Sequence, residues 1–312
     1  MMLDVRRLRV LREVAARGSF SAAAETLNFT QSAVSQQIAA LEREAGTRLV
    51  ERNARGVRMT DAGAALVRHA DAILARLADA EAELEAIAGL RGGRVRLSSF
   101  TTAAATIIPS AIARFRDRHP AVEVTLTPAE PPEGMEKLRA GEVDVALLIE
   151  TGWERSPDDG IERVRLLDDP MYVCLPKGHA KAAKPKLRLE DLRDDAWLVG
   201  SSNTCPDCAI ILRACAAAGF EPRISFQSDD YSSMQGFVAA GMGVSLVPDL
   251  ALVNVRDDVV IREIAPRPPV RHIVAATLAG GFRSPAVAAM LEILNEVGRA
   301  FEDDRRELGL AV

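Results

Sequence analysis

Apolar residues over the first ninety positions recur at intervals of three and four, the period of a helix with one buried face. Leu3, Leu8, Leu11, Val14 and Ala15 predict a helix over 3–17. A second is predicted from Ser21 to Asn28 and a third from Gln31 to about Ala45, with a tight turn through Phe29 and Thr30 and a buried stripe of Val34, Ile38 and Leu41. The pattern then shortens. Arg48–Arg52 and Val57–Thr60 read as two strands joined by Asn53-Ala54-Arg55-Gly56, a hairpin that pushes Arg55 outward. Residues 1–60 therefore predict a winged helix-turn-helix. Thr60 is the N-cap residue of a long helix predicted over 61–89, where Leu66, Ala70, Ile73, Leu77, Ala80, Leu84 and Ile87 alternate spacings of four and three. That is a coiled-coil seam. Arg68, Asp71, Arg76, Asp79, Glu81, Glu83 and Glu85 lie off it, which favours pairing with a second chain over burial within one.

Gly89-Leu-Arg-Gly-Gly93 ends the helix and predicts a hinge at 90–93. Strand-like and helical runs alternate beyond it. Val95–Ser99, a helix around Ile107–His119, Val122–Leu126, a helix near Glu133–Ala140 and Val143–Ile149 make a parallel βαβαβ lobe. Met171–Leu175, Ala196–Val199, a helix from about Asp207 to Ala218, Arg223–Phe226, a helix from Ser232 to Ala240 and Val244–Val247 repeat the theme. Arg271–Leu278 and a helix from Ser284 to Phe301 return to the first lobe, so the chain crosses between lobes twice and hinge motion is expected. The fold class is α+β multidomain: a DNA-binding winged helix-turn-helix, a long dimerisation helix, and a two-lobed α/β domain over 94–301. The first lobe takes about 94–165 and 268–301, the second about 166–267, and 302–312 form a charged tail.

Composition narrows the function. A chain of 312 residues with 48% hydrophobic and 27% charged side chains reads as a soluble, multidomain globular protein. No apolar run reaches the length of a membrane span, and charge interrupts what would be the core of a signal peptide, so the expected location is the cytoplasm. Ten Arg against six Asp and Glu make residues 1–60 net positive on a chain whose formal net charge is −5. Nucleic acid is then met by this end. Gln31, Ser32, Ser35 and Gln36 are short groups able to hydrogen-bond base edges or phosphates.

The run Gly18-Ser-Phe-Ser-Ala-Ala-Ala, followed by Gln31-Ser-Ala-Val-Ser-Gln-Gln-Ile38, Leu41-Glu42 and Thr60-Asp-Ala-Gly63, resembles the LysR-type family of bacterial transcriptional regulators. Leu138-Arg-Ala-Gly-Glu-Val-Asp-Val-Ala146 and Ala240-Gly-Met-Gly-Val-Ser-Leu-Val-Pro248 are similar to the effector domain of the same family, which has the architecture of periplasmic binding proteins. The resemblance implies that Thr30, Gln31, Ser32, Ser35 and Gln36 face double-stranded DNA and that Arg52 and Arg55 make wing and backbone contacts. It also implies a homodimer through the long helix, with a homotetramer as the expected assembly and RNA polymerase as a candidate partner. Many members carry Pro where Ser32 stands and Arg where Gln36 stands.

In doubly wound lobes, ligands sit at the carboxyl ends of strands beside helix N-termini. Those places hold Ser98–Thr102, Gly200–Thr204 and Gln227–Asp230, which offers Ser99, Thr101, Thr102, Ser202, Thr204 and Ser228 to a small polar effector, while Asp229 and Asp230 would repel a dianion. No nucleophile elbow, Walker loop, zinc-protease motif or dinucleotide fingerprint is present, so neither an enzyme nor a cofactor is expected. A binding protein with no DNA role would share the lobes but has no use for Arg52, Arg55 and Arg58 on a hairpin. The last candidates are Cys205, Cys208 and Cys215. A Cys-x-x-Cys opening a helix suggests lowered thiol pKa and a redox-sensing regulator, and Cys205 and Cys215 resemble the pair of the family's peroxide-sensing branch. The alternative is that they are buried small hydrophobes; metal is not expected of them.

Overall fold

The computed structural model describes residues 3–53, 56–87, 93–151, 160–200, 206–280 and 283–307. Two compact units emerge, one of Met1–Arg91 with Glu136–Val143 and Gly280–Ser284, the other of Gly92–Met135, Asp144–Ala279 and Pro285–Val312.

In the first unit, α1 (Val5–Arg17), α2 (Phe20–Leu27) and α3 (Gln31–Ala45) are followed by β1 (Val50–Asn53), β2 (Gly56–Met59) and α4 (Asp61–Ile87). Each of the first three helices starts on a side-chain cap: Asp4, Ser19 and Thr30 accept from the backbone N–H groups of Arg6, Ala22 and Ala33. Each ends on a left-handed residue, Gly18, Asn28 or Gly46. Such ends satisfy the orphan backbone groups and fix helix length locally. Leu8, Leu11, Val14, Phe20, Val34, Ile38, Leu41 and Leu49 close one core, which Ala70 of α4 joins. Further along α4, Ile73, Leu77 and Leu84 stay exposed at 41%, 40% and 67%. Glu42 receives the N–H groups of Leu49 and Val50, tying the end of α3 to β1.

The second unit contains β3 (Gly93–Ser99), α5 (Thr101–Ala105), α6 (Ile107–Arg118), β4 (Val122–Pro128), α7 (Pro131–Arg139), β5 (Val145–Glu150), β6 (Ile161–Pro176) and β7 (Lys186–Leu187). It continues with β8 (Ala196–Val199), α8 (Pro206–Ala217), β9 (Arg223–Gln227), α9 (Tyr231–Ala239), β10 (Ser245–Pro248), β11 (Val259–Ile264), β12 (Val270–Leu278) and α10 (Pro285–Glu307). Strand β3 pairs in parallel with β4 and β5, as the alternation predicts. Strand β6 is longer than the sequence suggests. Its first part pairs with β12 from Ile161 to Pro170, and Met171 onward pairs with β10 and β11, so one strand serves both lobes.

The structure moves some expected boundaries. Leu166 and Leu167 pack into the first lobe's core and Met171 into the second's, which puts the crossing at Pro170–Met171 rather than after residue 165. Gly93, expected in a hinge, already pairs with Val122 in β3, and the rest of that hinge lies outside the described residues. The charged tail is helical as far as Glu307, where Glu302 accepts the N–H of Asp168 at 2.7 Å and Arg305 Nε donates to Asp249 at 2.6 Å. Short elements (α5, β7) and β11, whose burial comes from neighbours remote in sequence, were not anticipated.

A Cβ built on Gly63 would stand 2.0 Å from the Leu49 carbonyl oxygen, so α4 can lie this close to the chain entering β1 only with glycine there. We expect Gly63→Ala to destabilise the N-terminal unit by about 1–3 kcal/mol, outweighing alanine's helix propensity. A urea midpoint at or above wild type would contradict this packing.

Candidate functional site

In the first unit the α3 surface offers Gln31, Ser32 and Gln36 to solvent, with Ser35 half-buried beside them. Thr30 is engaged as the cap, its Oγ1 also lying 3.0 Å from Ser32 Oγ. The first turn is thus capped, with Gln31, Ser32 and Gln36 exposed beside it. Arg52 pairs with Val57 in the hairpin, its side chain falling outside the described residues together with Arg55.

In the second unit a cavity of about 210 Å³ opens between the lobes. The first lobe contributes Phe100, Thr101 and Thr102 after β3, Glu130 and Glu133 after β4, and Ile149 from β5. From the second come Gly200 after β8, Pro206, Asp207 and Ile211 of α8, Ser228 and Asp229 after β9, and Tyr231 and Met234 of α9. These are the carboxyl ends of parallel strands, where the backbone leaves room and free helix N–H groups collect.

Arg271 of β12 reaches this place from behind. It is 1% exposed. Its Nε donates to Asp169 Oδ2 at 2.6 Å, Nη1 to Asp207 Oδ2 at 2.8 Å and Nη2 to Thr102 Oγ1 at 2.7 Å. Its guanidinium carbon lies 5.4 Å from the centroid of Phe100. Tyr231 donates its phenol proton to the same Asp207 oxygen at 2.7 Å, and Leu250 N–H donates to the other oxygen of Asp169 at 3.0 Å. Burial acts to lower the Arg271 pKa, but the Asp169 and Asp207 carboxylates outweigh it and hold the guanidinium charged. Burial pushes Asp169 upward, with Arg271 and the Leu250 N–H acting against it. Glu130 keeps much of its surface in solvent while its carboxylate is partly enclosed; burial first, then Asp207, raise its pKa.

Of the residues singled out in the sequence, Thr101, Thr102 and Ser228 line the cavity. Ser99 does not: it is 1% exposed and donates to the Phe100 carbonyl. Ser202 and Thr204 lie outside the described residues. Asp230 caps α9 through the N–H groups of Ser232 and Ser233, and a hydrogen bond from the Ser233 side chain, with the Ser233 N–H next, lowers its pKa, while Asp229 lines the cavity. Sequence reasoning missed Arg271, Asp207, Glu130 and Tyr231. A lone arginine leading the apolar run Arg271–Leu278 was the available signal, since a buried charge implies buried partners.

Cys208 and Cys215 take the second of the two readings of the cysteines, that of buried small hydrophobes. They belong to the second lobe's core, 2% and 0% exposed. Burial pushes the Cys215 thiol up to about 12, and burial together with Asp229 and Asp207 raises Cys208, the opposite of a reactive thiolate at a helix start. Cys205 lies outside the described residues. Among the described residues no group of three or more His, Cys, Asp or Glu could hold a metal ion.

Residues 5–64 match the family of bacterial regulatory helix-turn-helix proteins of the lysR type, and residues 88–299 match the LysR substrate binding domain. The chain is a LysR-type transcriptional regulator. A probable helix-turn-helix transcriptional regulator, LrrA of Synechococcus elongatus, is 32% identical over 295 residues, 94% of this chain and 97% of that protein. Full-length CbnR complexed with its target DNA superposes with a TM-score of 0.66 at 25% identity, over 95% of this chain and all (100%) of that one. A full-length variant of OxyR from Pseudomonas aeruginosa gives 0.73 at 24% identity, over 96% and 95%, a likeness of fold alone. As a LysR-type regulator the chain binds DNA through its N-terminal unit and a small-molecule effector through its C-terminal domain. Among the described residues of this regulator no helix is long and apolar enough to cross a membrane.

Arg271→Met should lower stability by about 3–5 kcal/mol, because Asp169 would keep a buried charge with no counter-charge. Without the guanidinium the folded-state pKa of Asp169 rises further above its unfolded value. The deficit should then grow as pH rises through that raised pKa and shrink toward acid, where both states are protonated. Urea titrations from pH 4 to 8 would show this; a deficit independent of pH would mean that Asp169 is not the group left stranded.

Proposed function

We propose that this regulator reads its operator with the exposed face of α3, Gln31, Ser32, Ser35 and Gln36 addressing base edges in the major groove while Thr30, Arg52 and Arg55 meet phosphates. What carries the reading is the exposed polar turn at the start of α3: a capped helix end with short side chains outward and apolar ones in the core. Ser hydroxyls and Gln amides offer both donors and acceptors to base edges, and charged wing groups supply affinity without sequence preference. Two copies pair along α4. The exposed Ile73, Leu77, Ala80 and Leu84 form a stripe one helix face wide, which an identical stripe can cover. Dimers associate into a tetramer, and RNA polymerase is met at the promoter. The regulator works in the cytoplasm and carries out no chemistry of its own. Its effector enters the cavity between the lobes and, by changing how they close, alters the spacing of paired DNA-binding units.

Selection of binding sites from random DNA tests the α3 reading. Gln31→Ala should relax preference at one position per half-site, a loss of about 1–3 kcal/mol, whereas Arg55→Ala should weaken all sequences alike and flatten the salt dependence. The same change of specificity in both variants would exchange or abolish these roles. Leu77→Arg places two unpaired charges in the α4 seam and should leave a monomer with much weaker operator binding; sedimentation as the wild-type oligomer would remove α4 as the pairing surface.

A further inference from the structure

The net charge of the cavity wall bears on what the effector can be. Resting on the reading of this cavity as the effector site, we infer that the effector is a compact organic cation, a protonated amine on an apolar or aromatic body, held by Asp207 and Glu130.

Among the described residues that line the cavity, Arg271 is the sole cation, and its charge is already met. Asp169 and Asp207 take two of its three donor nitrogens and Thr102 the third, all at 2.6 to 2.8 Å. Against it the wall carries four carboxylates, Glu130, Glu133, Asp207 and Asp229; Glu133 and Asp229 have partners of their own, so Glu130 and Asp207 set the negative field that an anionic headgroup would enter. To reach the guanidinium it would have to separate Asp207 from Arg271, and charges this close and this enclosed attract far more strongly than in water. The first turn of α8 attracts negative charge, but Asp207, part of that turn, already provides it.

A second observation points to a donor. Asp207 is 8% exposed and lines the cavity. Its Oδ2 accepts from both Arg271 and Tyr231, yet its Oδ1 is buried without a hydrogen-bond partner among the described residues. An unsatisfied buried carboxylate oxygen is costly, and a ligand ammonium that reached the Asp207 carboxyl from the cavity would offset that cost with a charge-assisted bond. Glu130 adds a second acceptor. Burial first, then Asp207 of α8 and more weakly Asp229 before α9, raise its pKa against the Thr101 N–H and Arg271 of β12. The remaining wall is Phe100, Ile149, Ile211 and Met234 with two prolines, which suits a ring or short aliphatic body.

The test uses the full-length protein and two matched sets of probes: phenethylamine, 2-phenylethanol and phenylacetate, and cyclohexylmethylamine, cyclohexylmethanol and cyclohexanecarboxylate. Isothermal titration at pH 7 should give each amine an affinity about tenfold or more above its alcohol and carboxylate partners. Amine binding should weaken as pH falls and the wall carboxyls take up protons. Asp207→Asn and, independently of the Arg271 contact, Glu130→Gln and Asp229→Asn should each weaken the amines and improve the carboxylates. Carboxylates or alcohols binding as tightly as their amines would overturn the proposal. If such binding were lost in Ser228→Trp, which fills the cavity from its rim, the cavity would remain the effector site with a different ligand class. Binding of every probe that is absent, or indifferent to Ser228→Trp, would overturn the cation assignment and count against the cavity as well.

Discussion

A guanidinium with 1% exposure has to be answered from every side, and the answer organises the effector domain. Arg271 enters on β12, Asp169 sits beside the point where β6 passes from one lobe to the other, Asp207 opens α8 in the second lobe, and Thr102 lies in α5 of the first. One side chain thus joins both lobes to the crossing strands. Directional, charge-assisted bonds at this spot fix where the lobes meet more sharply than apolar packing can, because a methyl group tolerates a small slide and an ion pair in low dielectric does not. The cavity lies against this cluster. Any charge placed beside Asp207 would act on the network that sets the lobe junction.

The N-terminal unit is held by different means. Its helices carry their own start and stop signals in Asp4, Ser19, Thr30, Gly18, Asn28 and Gly46, so their lengths are set within a few residues of each end. Its core is small, and the close approach at Gly63 compensates by letting α4 settle against Leu49. Local capping keeps the α3 surface well ordered while Gln31 and Ser32 remain solvent-facing, a suitable condition for reading bases.

The family likeness and the structure divide the cysteines from the rest of the candidate chemistry. A helix N-terminus lowers a thiol pKa only when the sulfur reaches its open end; Cys208 and Cys215 instead face a core of Val173, Leu175, Trp197 and Ile211, where desolvation dominates. Likeness of fold to an OxyR chain does not alter that environment.

Much of the organisation was legible in the residues: the boundaries of α3 at Gln31 and Ala45, the long α4, the parallel first lobe and the return of Arg271–Leu278 to it. These follow from local signals, caps and periodicity, which act over a few residues. The polar loops at the strand ends were also legible, since Thr101, Thr102 and Ser228 border the cavity. Which charges meet was not. Asp169, Asp207 and Arg271 are separated by as many as 102 positions and are brought together only by the two strand crossings, and an arginine leading an apolar run looks alike whether it snorkels to water or is buried among carboxylates. Sequence by itself determined the elements and the DNA-binding architecture, because hydrophobic period and capping are local properties. The charge lining the cavity between the lobes was decided by tertiary structure alone, because burial and pairing depend on what the rest of the chain places nearby.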